Sequence, residues 1–480
     1  MSKFNVTWGG AVRLLLVGYL PAVAGCATIP AAPPAAAPRI SAEALASGLA
    51  EADRLASRGC YLCLREAAAE YSRLIALSDE VVLAAKALEN NLMIALREIE
   101  LRIPDSGARD AAHALQARVP ASYASYFAVL DTAADSAAER RTLAEALEKE
   151  SPASAMKSYF YIAAALNAGL AKELMPGLDG ILSPHPQDLS LKYRVQAFGP
   201  AFSSEVSRAL IGQETGFGEV HLLLGGRAVM NGNLPAAHNE LTRARQLLPD
   251  SASVASVLAG VNMSYARYAE ALTLYEQVTA AWPDEAALIG KAKALSYLTR
   301  HEEAIAMLDE LLKNSQYNPG EKYYWRAWNR FRLDQNQTAY DDALAALNAM
   351  RNDAVYRLAG IVSLRLQRVG EARGYFENAL QMNAADCVSI TYLGQIDAAE
   401  RIPKQAFVWF SNAVACYNQK LERMGGELAR HEKDITGLSN GLIAGLRVEI
   451  KEAQALRAAA LKHVDALIPD PQSRIPAAKP

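Results

Sequence analysis

Alternating runs of valine, isoleucine and threonine, the mark of half-buried strands, do not occur in this chain of 480 residues. Their absence excludes sandwiches, barrels and parallel α/β sheets. Histidine is scarce, with seven dispersed residues and no pair spaced to put two metal ligands on one helix face. No glycine-rich phosphate loop follows a strand: "GFGEVHLLLGG" at 216–226 has its glycines at the wrong spacing. No cofactor and no metal are expected. Charge of either sign is not in large excess, the formal net being −3, which argues against a nucleic-acid partner. Beyond the N-terminus no apolar run is long enough to span a bilayer.

What is present begins with "MSKFNVTWGGAVRLLLVGYLPAVAGC". Lys3 and Arg13 form a positive start, and a short apolar stretch broken by Pro21 follows, which fits a cleaved secretory signal over 1–25. Ala24 and Gly25 precede Cys26, and "VAGC" resembles the lipobox of bacterial lipoproteins. That resemblance implies that Cys26 becomes the first residue, carries a diacylglyceryl thioether and further acylation such as palmitate, and anchors the chain in a membrane. Each buried methylene adds ~0.8 kcal/mol to such an anchor. Ala27 stands where an aspartate is absent, which by resemblance to Gram-negative sorting implies the outer membrane, with the folded part facing the periplasm. Residues 26–40, "CATIPAAPPAAAPRI", read as a semi-rigid Ala/Pro tether. With two of the 49 basic residues in the signal, 47 remain against 52 acids, so the mature chain carries −5. The roughly 440 residues left exceed one compact core, so several domains or an elongated array are expected.

Apart from Cys26 there are four cysteines, an even number that suggests disulfides in an exported protein. Cys387 to Cys416 would close a loop of about 30 residues, worth roughly 3–4 kcal/mol by chain entropy. Cys60 and Cys63, in "CYLC", lack the following histidine of a haem site, the βαβ setting of a redox motif and the further ligands of a zinc site. A local disulfide or two free thiols at a helix–helix turn is the expectation there.

Alanine, leucine, glutamate and arginine at helical spacing dominate, so the fold class is all-α. In "HLLLGGRAVMNGNLPAAHNELTRARQLLPD", Leu224 and Gly225 sit in a first helix, Gly232 marks a turn, and Ala237, Leu241 and Ala244 sit in a second helix ended by Pro249. This pattern resembles a tetratricopeptide repeat (TPR), whose period is about 34 residues. Ala271, Ala304, Ala339, Ala372 and Ala406 continue the register of Ala237. The resemblance predicts an α-α superhelix of about six units over 216–420, although Lys291 and Arg326 stand where leucine is usual. In that register Cys387 and Cys416 lie at the same end of the last hairpin, where a disulfide would staple it. Residues 41–215 read as divergent helical hairpins, 421–468 as capping helices with a polar outer face, and 469–480 as a disordered tail.

"GLSNG" at 437–441 matches the G-x-S-x-G of hydrolase elbows, but no strand precedes Ser439, and a break between helices explains it better. Asp341 and Asp342 read as solvated rather than catalytic. The chain is therefore expected not to be an enzyme.

The block "EKYYWRAWNRFRLD" at 321–334 carries the site expectation, because aromatics are only 7% of the chain. Tyr323, Ala327 and Arg330 hold the packing stripe. Tyr324, Trp328 and Phe331 fall on a neighbouring stripe, with Arg332 beside them. Lys293, Tyr297, Arg357, Arg365 and Tyr392 occupy related places in adjacent units. Aromatic–arginine clusters are what binding hot spots look like. The TPR resemblance implies a groove on this face that binds a protein or peptide. The competing expectation is that the chain's own C-terminal helices or N-terminal region fill it. The function that follows is a noncatalytic adaptor in envelope or surface-structure assembly. A glycan-binding lipoprotein of uptake or polysaccharide export and a peptidoglycan-acting enzyme are the alternatives.

Overall fold

The computed structural model describes residues 40–131, 136–150, 154–197, 201–434 and 437–467. The signal, Cys26, the tether before residue 40 and the tail lie outside the described residues. Among the described residues every regular element is a helix.

Six hairpins follow one another. Their first and second helices are Gly218–Met230 and Leu234–Leu247, Ala252–Ser264 and Tyr268–Ala281, Glu285–Tyr297 and His301–Asn314. Pro319–Arg332 and Asn336–Ala349, Asp353–Arg365 and Val369–Met382, Cys387–Ala399 and Pro403–His431 complete the series, numbered here as units 1 to 6. Where the two helices of a unit cross, the first helix offers Gly225, Ala259, Ala292, Ala327, Gly360 or Gly394. The second offers Ala237, Ala271, Ala304, Ala339, Ala372 or Ala406, each 0% exposed. A Cβ added at Gly360 would stand 2.7 Å from the Phe376 ring, and one at Gly225 would stand 2.6 Å from Leu241.

The turn inside each unit repeats too. Gly232, Ala266, Thr299, Asp334, Gln367 and Arg401 all have φ between 54° and 70°. The amide after each donates to a carbonyl five residues back: Asn233 to Ala228, Arg267 to Asn262, Arg300 to Leu295, Gln335 to Arg330, Arg368 to Ser363 and Ile402 to Asp397, all at 2.8–3.0 Å. This closure satisfies carbonyls that a helix end otherwise orphans. Only the first of the six residues is glycine, so five units hold a side chain in left-handed backbone at a cost of about 1 kcal/mol each.

The N-terminal helices dock on the first three units. Ala42–Ser57 and Tyr61–Ile75 form a hairpin turning at Gly59, and Val81–Leu101 packs beside it. The end of that long helix meets unit 2: Ser251 Oγ donates to the Leu101 carbonyl at 2.6 Å, the Ala252 amide donates to the Arg102 carbonyl at 3.0 Å, and Arg102 pairs with Asp284 of unit 3. Arg97 lies buried with its guanidinium 4.2 Å from the Tyr193 ring centre and 3.9 Å from Glu219 of unit 1. Burial raises the Glu219 carboxyl above its ordinary range, against the pull of Arg97.

At the other end, the second helix of unit 6 runs unbroken for 29 residues, past position 420 where the sequence reading puts the start of the cap. At 1.5 Å per residue it is about 43 Å long. Asn440–Leu467 returns along it, with Ala453, Ala460 and Val464 packed among Phe410, Ala413 and Tyr417. The far end of this hairpin touches units 1 and 2. Leu438 joins Leu241, Leu258, Val261 and Tyr265 in one apolar cluster. The Gly441 backbone lies so close that a Cβ there would stand 2.8 Å from the Tyr265 carbonyl oxygen.

The crossing positions generate a paired prediction. Gly360→Val should destabilise the protein by about 1–3 kcal/mol through overpacking against Phe376. Gly374→Ala, on the second helix of the same unit, where nothing beyond its own helix backbone lies within 4 Å of the new Cβ, should stabilise it by roughly 0.5–1 kcal/mol. Urea midpoints at constant slope measure both.

Candidate functional site

The first helix of unit 4, Pro319–Arg332, has three faces. On the face toward unit 3, Lys322 is 0% exposed. Its ammonium donates to Glu285 at 2.7 Å and to the Ser315 carbonyl at 2.9 Å. Asn329 is also buried there: its Nδ2 donates to Ser296 Oγ and to the Trp325 carbonyl, both at 2.7 Å, and its Oδ1 lies 2.8 Å from His301 Nδ1. Trp325 packs against Ile289, Ala292, Leu308 and Leu311. It therefore seals units 3 and 4 together.

The second face is ionic. Arg326 reaches Asp342 of its own unit at 2.5 Å and Asp309 of unit 3 at 2.6 Å, while Arg330 reaches Asp342 at 2.8 Å. Asp342 is 3% exposed, so it is a buried ion-pair acceptor and not the solvated carboxylate expected from sequence; Asp341 is exposed. Burial, the largest single effect, pulls the Arg326 guanidinium down, but the paired carboxylates of Asp342 and Asp309 together hold it above its ordinary range. The arginine in a leucine's place is thus accommodated by two aspartates on second helices.

The third face carries Tyr324, Trp328 and Phe331, half-buried against a cluster that includes Leu358, Ala359 and Val362 of unit 5. Trp328 and Phe331 are 6.3 Å apart. The guanidinium of Arg332 lies 5.9 Å over the Trp328 ring, and that of Arg365 lies 5.9 Å over the Phe331 ring. Both arginines are exposed, and among the described residues neither has an ion pair. Stacking a guanidinium on an aromatic face holds it in place while leaving its five donors available.

Other expected site residues are distributed differently. Lys293 pairs with Glu321 at 2.9 Å, and Arg357 pairs with Asp386 at 3.0 Å, so both charges are compensated within the protein. Tyr392 lies flat on Phe376 at 5.0 Å, inside the packing of units 5 and 6. Tyr297 is 50% exposed and stacks on Tyr268 at 4.5 Å, with Trp325 edge-on at 5.5 Å. Sequence reading did not single out Tyr268. Its signal was its place at the opening of a second helix, next to the end of the following first helix.

The structure pairs Cys387 with Cys416 and Cys60 with Cys63. Glu214 lies within 4.8 Å of both Cys60 and Cys63, but their sulfurs are bonded to each other and offer no thiolate to a metal. Ser439 is buried; its Oγ is 3.2 Å from His431 Nδ1, and its carbonyl accepts from the Ile443 amide at the start of the last helix. His463 is elsewhere, stacked on Phe410. A buried serine whose backbone opens a helix lacks both the exposure and the preceding strand of a nucleophile elbow.

No family model matches the chain, and no curated protein matches it. Solved structures do. A thermophilic TPR protein of Thermus thermophilus, TTC0263, is 19% identical over 36% of this chain and 96% of its own, with a TM-score of 0.32. The pilF protein of Pseudomonas aeruginosa is 18% identical over 42% and 90%, with a TM-score of 0.37. A tetratricopeptide repeat protein of Parabacteroides merdae ATCC 43184 is 15% identical over 51% and 93%, with a TM-score of 0.37. At these scores the fold rests on the chain's own hairpins, which define an all-α solenoid. Its repeating unit, with small residues at the crossing and a turn closed every 33–35 residues, is of the tetratricopeptide type.

Two uncompensated guanidiniums on half-open rings predict an anion-attracting surface. Iodide should quench Trp328 more strongly than caesium does, the difference spectrum against Trp328→Phe isolating the signal. Arg332→Gln with Arg365→Gln should remove that preference while acrylamide quenching stays unchanged.

Proposed function

We propose that this chain is a noncatalytic scaffold that grips an acidic segment of a partner protein along the first helices of units 4 and 5. The observation that carries the reading is the repeated pairing of Arg332 on Trp328 and Arg365 on Phe331. The two arginines close the first helices of consecutive units. Charge-assisted bonds from a planar fork favour carboxylates. The rings supply the apolar contact that hot spots need. Lys293 and Arg357, being compensated, shape the rim and do not draw the partner in.

The setting proposed for this scaffold is the periplasmic face of an outer membrane, in envelope or surface-structure assembly. The support is the signal-like N-terminus ending at Cys26 and the two disulfides, which suit an oxidising compartment. Expressed in a Gram-negative host, the wild type should sediment with membranes and its Cys26→Ser variant should not. Sedimentation of both alike would remove the anchor.

The partner is tested by affinity capture from solubilised envelope, comparing wild type with Trp328→Ala/Arg332→Gln/Arg365→Gln. The wild type should retain a protein that the variant loses, and that retention should weaken as salt rises. Equal retention by both sinks the groove reading. One observation favours a second reading: the half-exposed Tyr297 lies parallel to Tyr268, a surface on which a sugar ring can stack. Retention on a polysaccharide column that Tyr297→Ala abolishes would replace the protein partner with a glycan.

A further inference from the structure

The hairpin that leaves unit 6 carries glycines inside its helices that packing does not require. Pro403–His431 contains Gly425 and Gly426, and Asn440–Leu467 contains Gly445. At each of the three, nothing beyond the helix's own backbone lies within 4 Å of where a Cβ would stand. Gly225 and Gly360, by contrast, have a partner side chain against that position. Glycine gives up more conformational freedom than any other residue when a helix orders it. Glycine pairs are also among the places where long helices kink.

The three glycines stand at one level of the hairpin. Phe410 lies flat on His463 with ring centres 4.5 Å apart, which sets the register of the two antiparallel helices. Equal steps outward from that pair put Gly425 and Gly426 opposite residues 447–448, within one turn of Gly445. The buried seam of the hairpin ends at the same level. Phe410, Ala413, Tyr417 and Met424 are buried on the outgoing helix, and no residue of that helix after Met424 is. On the returning helix Leu446 is the first buried residue, followed by Ala453, Ala460 and Val464.

Further out, the apolar hold on the tip comes from the array. Leu438 sits in the cluster of Leu241, Leu258, Val261 and Tyr265 from units 1 and 2. That seat is not packed on every side: a cleft of about 510 Å³ runs beside it, lined by His238, Asn239, Arg267 and Asn440 among others.

We infer that the hairpin is a hinged strap. Its tip swings about Gly425, Gly426 and Gly445, Leu438 leaves its seat on units 1 and 2, and the array passes from a closed circuit to an open coil. The seam below the hinge and the Cys387–Cys416 disulfide at its base stay in place. In the open form the cluster that received Leu438 meets solvent, Val261 with it, and the units between are free to change pitch. The strap does not rest on the acidic-segment reading, because it belongs to the chain whatever the array binds.

The test compares the alkylation rates of two buried thiols in the full chain carrying Cys26→Ser, whose other cysteines are paired. Val261→Cys, at a site 1% exposed, reports the seat; Val355→Cys, at a site 0% exposed in unit 5, reports opening of the array itself. Under native conditions a maleimide dye should label Val261→Cys at least about tenfold faster than Val355→Cys, because a local opening needs less free energy than a global one. Adding Gly425→Ala, Gly426→Ala and Gly445→Ala should lower the ratio of the two rates by about fivefold or more, since alanine resists the kink. Glycines that merely weaken the helices would change both rates alike and leave the ratio where it was. Equal labelling of the two thiols overturns the strap, and so does an unchanged ratio in the alanine variant.

Discussion

Two helices approach closely only where neither carries more than a methyl group, and that contact orders the array. In unit 4 the contact is Ala327 on Ala339, both fully buried. At about 100° per residue along a helix, every other side chain of Pro319–Arg332 takes its direction from Ala327. Tyr324, Trp328, Phe331 and Arg332 fall roughly 40–140° to one side of it. Arg326 and Arg330 fall roughly 60–100° to the other. Trp325, Asn329 and Lys322 lie near the back. The three faces become the half-buried aromatic surface, the ionic seam and the seal to the preceding unit, and one small residue sets all three.

The repeat was legible because it is written in the smallest residues, which tolerate no substitution by bulk at a crossing. Ala237, Ala271, Ala304, Ala339, Ala372 and Ala406 announce the period without any structure. The stripe holding Tyr324, Trp328 and Phe331 was legible for the same reason, since it follows from helical angle alone. Trp325 was not, because the back of a first helix gains meaning only from what the previous unit offers, here Ile289 and Leu308. Nor was the role of Asp342: its partners Arg326 and Arg330 lie on a different helix, and sequence alone gives no pairing across helices. The compensation of Lys293 and Arg357 was hidden in the same way. A basic residue's free charge depends on an acid one unit away.

The ionic seam shows how a repeat absorbs a departure from its pattern. An arginine at a leucine position would leave a buried charge, which is strongly destabilising when unpaired. Asp342 comes from the second helix of Arg326's own unit and Asp309 from that of the preceding unit, so the second of the two pairs forms only when those units are stacked. Arg97 and Glu219 play a similar part between the N-terminal helices and unit 1. Polar contacts of this kind fix which neighbour sits where, while the apolar clusters supply the cohesion.

The long hairpin that leaves unit 6 and touches Tyr265 and Ala266 of unit 2 alters the mechanics of the whole array. An open solenoid is a spring: each unit contacts only its neighbours, and small changes of twist add along its length. Here the far end is tethered back near the beginning, so the twists of the units between must sum to a fixed value. Flattening one unit has to be matched by tightening another. The curvature of the surface bearing Trp328 and Phe331 is therefore a property of the closed circuit and not of units 4 and 5 alone.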